Sequence, residues 1–126
     1  MKPNKILMCS PDYFEVNYSG NEFMKDNIDN VNKSAAMEQW KALKNIYETL
    51  NFRVDLIEPG KDLVDMVFTA NQSLPFIDKS GNKKVILSKM KNEQRKNEVP
   101  YFRDFYENRG YETIELPDEV EYFESE

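Results

Sequence analysis

Histidine is absent from the sequence, Cys9 is its only cysteine, and glycine occurs just four times in 126 residues. Without histidine, these residues cannot complete a Ser-His-Asp or Cys-His catalytic arrangement, and a zinc site built from Cys and His would lack ligands. A lone cysteine also cannot form a disulfide within the chain. Acid–base chemistry carried by these residues alone would depend on Asp, Glu, Lys or Tyr. We therefore expect no metal site and no cofactor.

The sequence has fewer basic than acidic residues, with 17 Lys and Arg against 23 Asp and Glu, which gives a net charge of -6. Nucleic acids and anionic membranes are bound by clustered Lys and Arg, so neither is an expected partner. No apolar run approaches the roughly 20 residues of a membrane-spanning helix. The opening stretch MKPNKILMCSP has too short an apolar segment for a signal peptide, which predicts a cytoplasmic protein.

Apolar residues are plentiful enough for a packed core, at 40% hydrophobic with 13% aromatic. The length is that of one domain, so we expect a single domain over 1–126. Strand-like runs alternate with helical periodicity, which is the pattern of an α/β fold. The predicted strands cover 5–10, 12–19 (a strand or an extended segment), 52–59, 64–70, 111–116, a hairpin of 73–78 and 83–89, and a short tail strand near 120–123, with a long loop over 20–33.

Two helices are predicted between these strands. The first covers 34–50, with Ser34 as N-cap and Asn51 as a left-handed stop. The second covers 93–109 and is ended by Gly110, and Pro100 predicts either a kink or a helix that begins near Glu98 with Asn97 as cap. The first helix rests on an apolar stripe at helical spacing, formed by Ala36, Trp40, Leu43, Tyr47 and Leu50.

The end of each predicted helix is followed by a similar sequence. YETLNFRVDLIEP starts at Tyr47, and YENRGYETIELP starts at Tyr106, 59 residues later. Both contain a helix end, an Asn or Gly stop, an aromatic residue and a strand closed by proline. Two copies of one β/α module explain this similarity, and the general likeness of any helix–strand unit explains it equally well.

Polar residues in two segments are candidates for chemistry. Asp65 and Asn71 lie an even number of positions apart in DLVDMVFTANQ, so a regular strand would place both on one face, where a carboxylate can accept paired N–H donors from a guanidinium. Solvated acidic residues are the competing interpretation. Arg95 and Lys96 are equally compatible with a solvated helix turn. We expect Cys9 to be a small buried hydrophobic residue rather than a nucleophile.

Five segments together resemble the N-terminal half of the guanidino-modifying superfamily, which includes dimethylarginine dimethylaminohydrolases, arginine deiminases and amidinotransferases. They cover nearly the whole chain, and DMVFTANQ is the most specific part. The resemblance implies a partial pentein fold, about half of a five-bladed β/α propeller with two to three β/α units and mixed short strands. The segments are ILMCSPDYFEVNYSGNEFM, QWKALKNIYETLNFRVDLIEP, DLVDMVFTANQ, SKMKNEQRKNEVPYFRDFYENRGY and VEYFESE.

The resemblance also implies roles for residues that would bind an arginine-like small molecule. Asp65 matches the carboxylate that grips the substrate guanidinium. Asn71 stands where dimethylarginine hydrolases usually carry a second acidic residue, so substrate choice is expected to differ. Arg95 or Lys96 matches the basic position beside the substrate's α-carboxylate.

Three further residues match the family pattern at the edges of the site. Phe14 and Asn17 match the segment that lines the site entrance. Glu124 matches the acid that opens the family's FEGGD motif and there pairs with the catalytic histidine, so it is catalytic only if a partner chain completes the site. The family's catalytic His and nucleophilic Cys lie in its C-terminal half, and Cys9 matches no nucleophile position.

Three functions follow from these observations. The first is a truncated or split guanidino-modifying hydrolase or amidinotransferase, inactive alone and completed by a chain that carries the C-terminal half. The second is a non-catalytic module that binds an arginine-like amino acid through Asp65, Asn71 and Arg95. The third is an α/β remnant without a ligand, which self-associates through the strands and apolar faces of a half propeller, for example as a homodimer. We favour the first.

Overall fold

The computed structural model describes residues 3–126 and shows a mixed α/β fold, which confirms the predicted class. Met1 and Lys2, which begin the stretch considered for a signal peptide, lie outside the described residues. The chain forms two compact units, unit 1 ending at Phe68 and unit 2 covering Thr69–Glu126; the single domain stays a prediction. In order, the elements are β1 (Lys5–Cys9), α1 (Glu22–Lys25), α2 (Lys33–Thr49), β2 (Arg53–Ile57), β3 (Ser73–Ile77), β4 (Lys83–Leu87), α3 (Glu93–Lys96), α4 (Val99–Glu107) and β5 (Glu112–Ile114).

Unit 1 is built on two parallel strands, β1 and β2, paired in register from Lys5 with Arg53 to Cys9 with Ile57. Parallel neighbours need a crossover connection, and α2 lies between them in the chain, so unit 1 is a β-α-β arrangement. The strands predicted over 5–10 and 52–59 are confirmed. The Cys9 side chain is fully buried, as expected. The other buried apolar residues of unit 1 are Met8, Val16, Ile57, Leu63, Val64 and Met66.

Helix α2 lies between two asparagines, Asn32 before it and Asn51 after it. Asn32 is the N-cap, because its Oδ1 accepts a hydrogen bond from the Ala35 N–H at 3.0 Å, so the prediction of Ser34 is wrong. Asn51 has a φ of 63°, which confirms the predicted left-handed stop. The predicted apolar stripe is half-buried at Ala36, Trp40 and Tyr47. Leu43 of the stripe and its last member, the C-cap residue Leu50, are exposed.

The strand predicted over 64–70 is wrong, because this segment is a succession of turns. The Met66 N–H donates to the Leu63 carbonyl at 3.4 Å, and the Phe68 N–H donates to the Asp65 carbonyl at 3.0 Å. A continuous apolar run indicates burial, and turns can bury it as well as a strand can. The inference that Asp65 and Asn71 share a strand face is therefore wrong too, and the two residues belong to different units.

Two neighbouring expectations for unit 1 also need refinement. Residues 12–19 form no regular strand and begin in a turn, in which the Phe14 N–H donates to the Pro11 carbonyl at 3.1 Å, so the strand alternative is wrong. The loop predicted over 20–33 contains the short helix α1. Asn21 caps this helix by accepting the Met24 N–H at 3.1 Å.

Unit 2 is a three-stranded sheet in the order β3-β4-β5, with β3 antiparallel and β5 parallel to the central β4. The predicted hairpin and the predicted strand over 111–116 are confirmed. Helix α4 lies between β4 and β5 in the chain and supplies the crossover that their parallel pairing needs. The buried apolar residues of unit 2 are Val85, Leu87, Met90, Phe102 and Tyr106.

The turn of the β3–β4 hairpin is closed by one aspartate. Asp78 Oδ1 accepts the N–H groups of Asn82 and Ser80, each at 2.9 Å. Hydrogen bonds from the Asn82 backbone and side chain lower the pKa of Asp78 below 3.8. Glu112 on the neighbouring β5, together with Asp78, raises the pKa of Lys84 above 10.5.

The second predicted helix is interrupted. Helix α3 ends at Lys96 and α4 begins at Val99, with Glu98 rather than Asn97 at the N-cap position and Pro100 in the first turn. The predicted helix start near Glu98 is therefore confirmed, and the prediction of Asn97 as its cap is wrong. The tail strand is reduced to one bridge, in which Lys89 and Phe123 exchange two backbone hydrogen bonds of 2.9 Å.

The two helix ends that look alike in sequence also look alike in structure. The Phe52 N–H donates to the Tyr47 carbonyl at 3.0 Å, and the Tyr111 N–H donates to the Tyr106 carbonyl at 3.1 Å. Each pair of rings packs edge to face, with centroids 6.3 Å and 5.0 Å apart. Gly110, with a φ of 78°, takes the place that Asn51 has in unit 1. Both units thus contain a β-α-β arrangement with the same helix stop.

Across residues 3–126, no helix has the length and apolar character needed to cross a membrane.

Candidate functional site

Unit 1 contains a cavity of about 350 Å³. One wall comes from the segment before α1, and the other comes from α1, the loop that follows it and the turns that end at Phe68. Phe14 from the segment before α1 and Phe68 from the turns meet edge to face, with ring centroids 5.6 Å apart. The lining residues are Phe14, Val16, Asn21, Phe23, Met24, Asn27, Asn30, Val31, Asp65 and Phe68.

Asp65 is the one acidic residue among those that line this cavity. It is 3% exposed, although carboxylates are seldom buried without a partner. The Tyr18 hydroxyl donates a hydrogen bond to Asp65 Oδ2 and so restrains the carboxylate. A buried carboxylate in a mostly apolar wall can attract a cationic group and accept its N–H donors.

The predicted entrance residues are placed differently from each other. Phe14 lines the cavity, whereas Asn17 is exposed and is not among the residues described as lining it. Tyr18 was not a predicted site residue. The sequence over 12–19 gives an indication of it, because alternate residues of a strand-like segment would place Tyr18 with Phe14 and Val16 on the face opposite Asn17.

Unit 2 contains a second polar cluster, centred on Asn71. Arg95 is 8% exposed, and its Nη1 donates to Asn71 Oδ1 at 2.9 Å. The guanidinium of Arg95 also meets the fully buried carboxylate of Glu98, with Nε and Nη2 each 3.2 Å from Oε2. Gln72 Nε2 donates to the same Glu98 oxygen at 2.9 Å. The structure thus brings together two of the predicted binding residues, Asn71 and Arg95.

The tail of the chain completes this cluster. Asn71 Nδ2 donates to the Ser125 carbonyl at 3.1 Å, and the Ser125 hydroxyl lies 2.5 Å from the Ala70 carbonyl and 2.6 Å from that of Ser73. The Ser88 hydroxyl donates to the Asn71 backbone carbonyl at 2.6 Å. Hydrogen bonds of this kind hold residue 71 at both its backbone and its side chain.

The remaining predicted residues lie outside these contacts. Lys96 is exposed and pairs with Glu93 on the same short helix. Glu124 is half-buried, and its Oε1 accepts the Lys91 N–H at 3.0 Å. Of the two basic candidates, Arg95 is therefore the one that contacts Asn71. Gln72 and Ser125 carry no local sequence signal, because they meet their partners only through the fold, whereas Glu98 lies three positions after Arg95 in the chain.

Comparison with known proteins places the chain in a family. Residues 10–126 match the family model described as N,N dimethylarginine dimethylhydrolase, eukaryotic. The bifunctional arginine dihydrolase/ornithine cyclodeaminase ArgZ of Synechocystis sp. is 38% identical over 116 residues, which is 92% of this chain and 16% of that protein. The N(G),N(G)-dimethylarginine dimethylaminohydrolase of Mycobacterium tuberculosis is 40% identical over 70 residues, which is 56% of this chain and 23% of that protein.

Solved structures of ArgZ and AgrE also match this chain. The substrate-bound N-terminal domain of ArgZ, an arginine dihydrolase from cyanobacteria, matches with a TM-score of 0.87 and 38% identity, over 96% of this chain and 42% of that chain. The complex of an AgrE mutant with L-arginine matches with a TM-score of 0.87 and 37% identity, over 99% of this chain and 18% of that one. The chain therefore spans less than half the length of these relatives. It belongs to the dimethylarginine dimethylhydrolase family and, with it, to the guanidino-modifying (pentein) superfamily.

Proposed function

We propose that these residues form the arginine-binding part of a guanidino-modifying enzyme with a partial pentein fold. The observation that carries the proposal is Asp65, a 3%-exposed carboxylate in the mostly apolar wall of the unit 1 cavity. A guanidinium has a delocalised positive charge, planar N–H donors and weakly hydrated faces, so it suits a carboxylate flanked by Phe14 and Phe68.

The Asn71 cluster of unit 2 supports the same proposal. An arginine ligand carries an α-carboxylate as well as a guanidinium, and binding it needs a basic partner. Arg95 is the basic residue of the cluster, and Lys96 is instead an exposed residue paired with Glu93. Within unit 2, the family resemblance supports a carboxylate-binding role for Arg95 and a neutral hydrogen-bonding role for Asn71. The curated ArgZ and AgrE, and their structures with substrate or L-arginine, make arginine the first ligand to test.

Turnover needs groups that these residues do not supply. In this superfamily a thiolate attacks the guanidinium carbon, and a histidine transfers protons. The sequence contains no histidine, and the Cys9 side chain is fully buried in unit 1. We assign both catalytic groups to residues outside these 126, in the same polypeptide or in a partner chain. Glu124 would then support the histidine only in the completed site.

Isothermal titration calorimetry with L-arginine tests the binding site. Asp65→Asn should lower the affinity about tenfold or more, because a hydrogen bond to a charged group contributes about 1.5–3 kcal/mol. Asp62→Asn is the matched control: Asp62 is exposed, and its φ of 65° is one that asparagine tolerates well. This control should bind as the parent chain does.

Two results would refute the proposal. One is the absence of any heat with arginine, methylarginines and ornithine. The other is an affinity that Asp65→Asn and Asp62→Asn change equally. Citrulline release by the 126 residues alone would refute the assignment of the catalytic groups to residues outside them.

A further inference from the structure

The side-chain amide of Asn71 has only one orientation that satisfies its neighbours. A guanidinium only donates hydrogen bonds, so the Asn71 atom 2.9 Å from Arg95 Nη1 must be the oxygen. A backbone carbonyl only accepts, so the atom 3.1 Å from the Ser125 oxygen must be the amide nitrogen. The hydrogen-bonding chemistry of Arg95 and of the Ser125 carbonyl thus fixes the positions of the amide oxygen and nitrogen of Asn71, without reference to any ligand.

This arrangement also explains an amide at a position where the family resemblance leads one to expect an acid. An aspartate at 71 could still accept from Arg95. Its second oxygen would then face the Ser125 carbonyl oxygen across about the same 3.1 Å, with no proton between two acceptors. The amide of Asn71 therefore suits both partners, because its oxygen accepts from Arg95 and its nitrogen donates to the Ser125 carbonyl.

Arg95 is in turn held by Glu98. The Glu98 Oε2 atom receives Arg95 Nε and Nη2, both at 3.2 Å, and also the Gln72 amide at 2.9 Å. Glu98 is fully buried, and Arg95 is 8% exposed. A buried carboxylate that contacts Nε and Nη2 of a guanidinium restricts its rotation and leaves Nη1 directed at Asn71.

We propose that Glu98 is a positioning residue for the arginine site: through Arg95 it sets the orientation of the Asn71 amide. This inference rests on the proposed function, because it takes Arg95 and Asn71 as ligand-binding groups. Glu98 is 0% exposed and acts on a ligand only through these two side chains. Its carboxylate engages Nε and Nη2 of Arg95, so that Nη1 is the nitrogen that meets the Asn71 amide.

The test compares Glu98→Gln with the matched control Glu93→Gln. Both substitutions remove one carboxylate from an Arg or Lys pair three residues apart, but the Glu93–Lys96 pair is exposed. Affinity for L-arginine is measured well below the melting temperature of each variant. Glu98→Gln should weaken binding on the order of tenfold, the scale of losing an orienting partner, and Glu93→Gln should leave it unchanged.

A second measurement separates positioning from mere stabilisation. In ¹⁵N-labelled protein, the side-chain resonances of Arg95 Nε and Asn71 Nδ2 should both shift in Glu98→Gln. Neither resonance should shift in Glu93→Gln. If Glu98→Gln does not fold, Glu98→Asp keeps the charge on a shorter side chain and should shift the same two resonances. Unshifted resonances, or an arginine affinity within twofold of the parent in a folded Glu98 variant, would overturn the inference.

The same experiments distinguish failure of this inference from failure of the proposed function. If the parent chain does not bind arginine at all, the proposed function fails. The two resonances still report whether Glu98 orients Arg95 and Asn71 in that case, and their response decides the positioning role.

Discussion

Gly110 ends helix α4 in the left-handed region, and replacing it with alanine isolates the cost of that conformation. Its φ is 78°, and a Cβ added at this residue would meet nothing within 4 Å. Steric packing therefore contributes nothing to the effect of Gly110→Ala. Only the backbone conformation and the unfolded chain remain to be considered.

The expected loss of stability can be worked out from these two contributions. A residue with a Cβ pays about 1–2 kcal/mol in the left-handed region. Alanine also restricts the unfolded chain and thereby returns about 0.4–1 kcal/mol. The net loss for Gly110→Ala is about 1 kcal/mol, which corresponds to a melting temperature about 4 °C lower for a chain of this size.

Urea unfolding followed by circular dichroism measures this loss, with the slope of the transition as a check on two-state behaviour. Gly81→Ala is the control, because Gly81 has a φ of 85° and equally open space but lies in the hairpin turn. Gly81→Ala should lower the free energy of unfolding by about the same amount as Gly110→Ala. Gly110→Asn, which copies the residue that unit 1 uses at Asn51, should cost less than Gly110→Ala because asparagine tolerates this region.

A loss above about 3 kcal/mol for Gly110→Ala would show that the added methyl group meets a contact that the structure excludes. Equal stability of the alanine variant and the parent would show that the helix stop does not need the left-handed conformation. Either result would refute the reasoning that treats Gly110 and Asn51 as the same device in two units.

The exposed edge strand β3 and the Asp78 turn yield two more predictions. Leu74→Lys should reduce self-association measured by light scattering, because Leu74 is an exposed apolar residue of an edge strand. The control Lys79→Ala, in the exposed turn, should not reduce it. An equal effect of the two substitutions would refute an association through β3. Because the folded pKa of Asp78 is lowered, its stabilising contribution is present above about pH 3.8 and is lost as the pH falls through the folded pKa. Asp78→Asn should therefore show a weaker loss of urea stability than the parent below that pH, and the exposed Asp118→Asn should follow the parent.

Features set by a few consecutive residues could be predicted from the sequence. The stops at Asn51 and Gly110 and the β3–β4 hairpin depend on local backbone preferences, which the residue types reveal. The segment over 64–70 could not be predicted in this way. Its first residues, Val64 to Met66, are buried in turns, and hydrophobicity indicates burial without distinguishing a turn from a strand.

The site shows the same division between local and long-range information. Asp65, Asn71 and Arg95 are candidates because the family resemblance implies binding roles for them. Glu98 is close to Arg95 in the chain, but Ser125 meets Asn71 across 54 positions, and no local pattern indicates such a contact. The contact between Asn71 and Ser125 was therefore beyond prediction from the sequence.

The burial of Cys9 gives the molecule a built-in reporter of unit 1. It is the only thiol in the sequence, it is 0% exposed on β1, and unit 2 contains none. A thiol reagent can react with it only when unit 1 opens, so the labelling rate, divided by that of the unfolded chain, measures the free energy of opening. If that free energy equals the global value from urea, the two units unfold as one cooperative domain. If it is smaller, unit 1 opens while the rest of the chain stays folded.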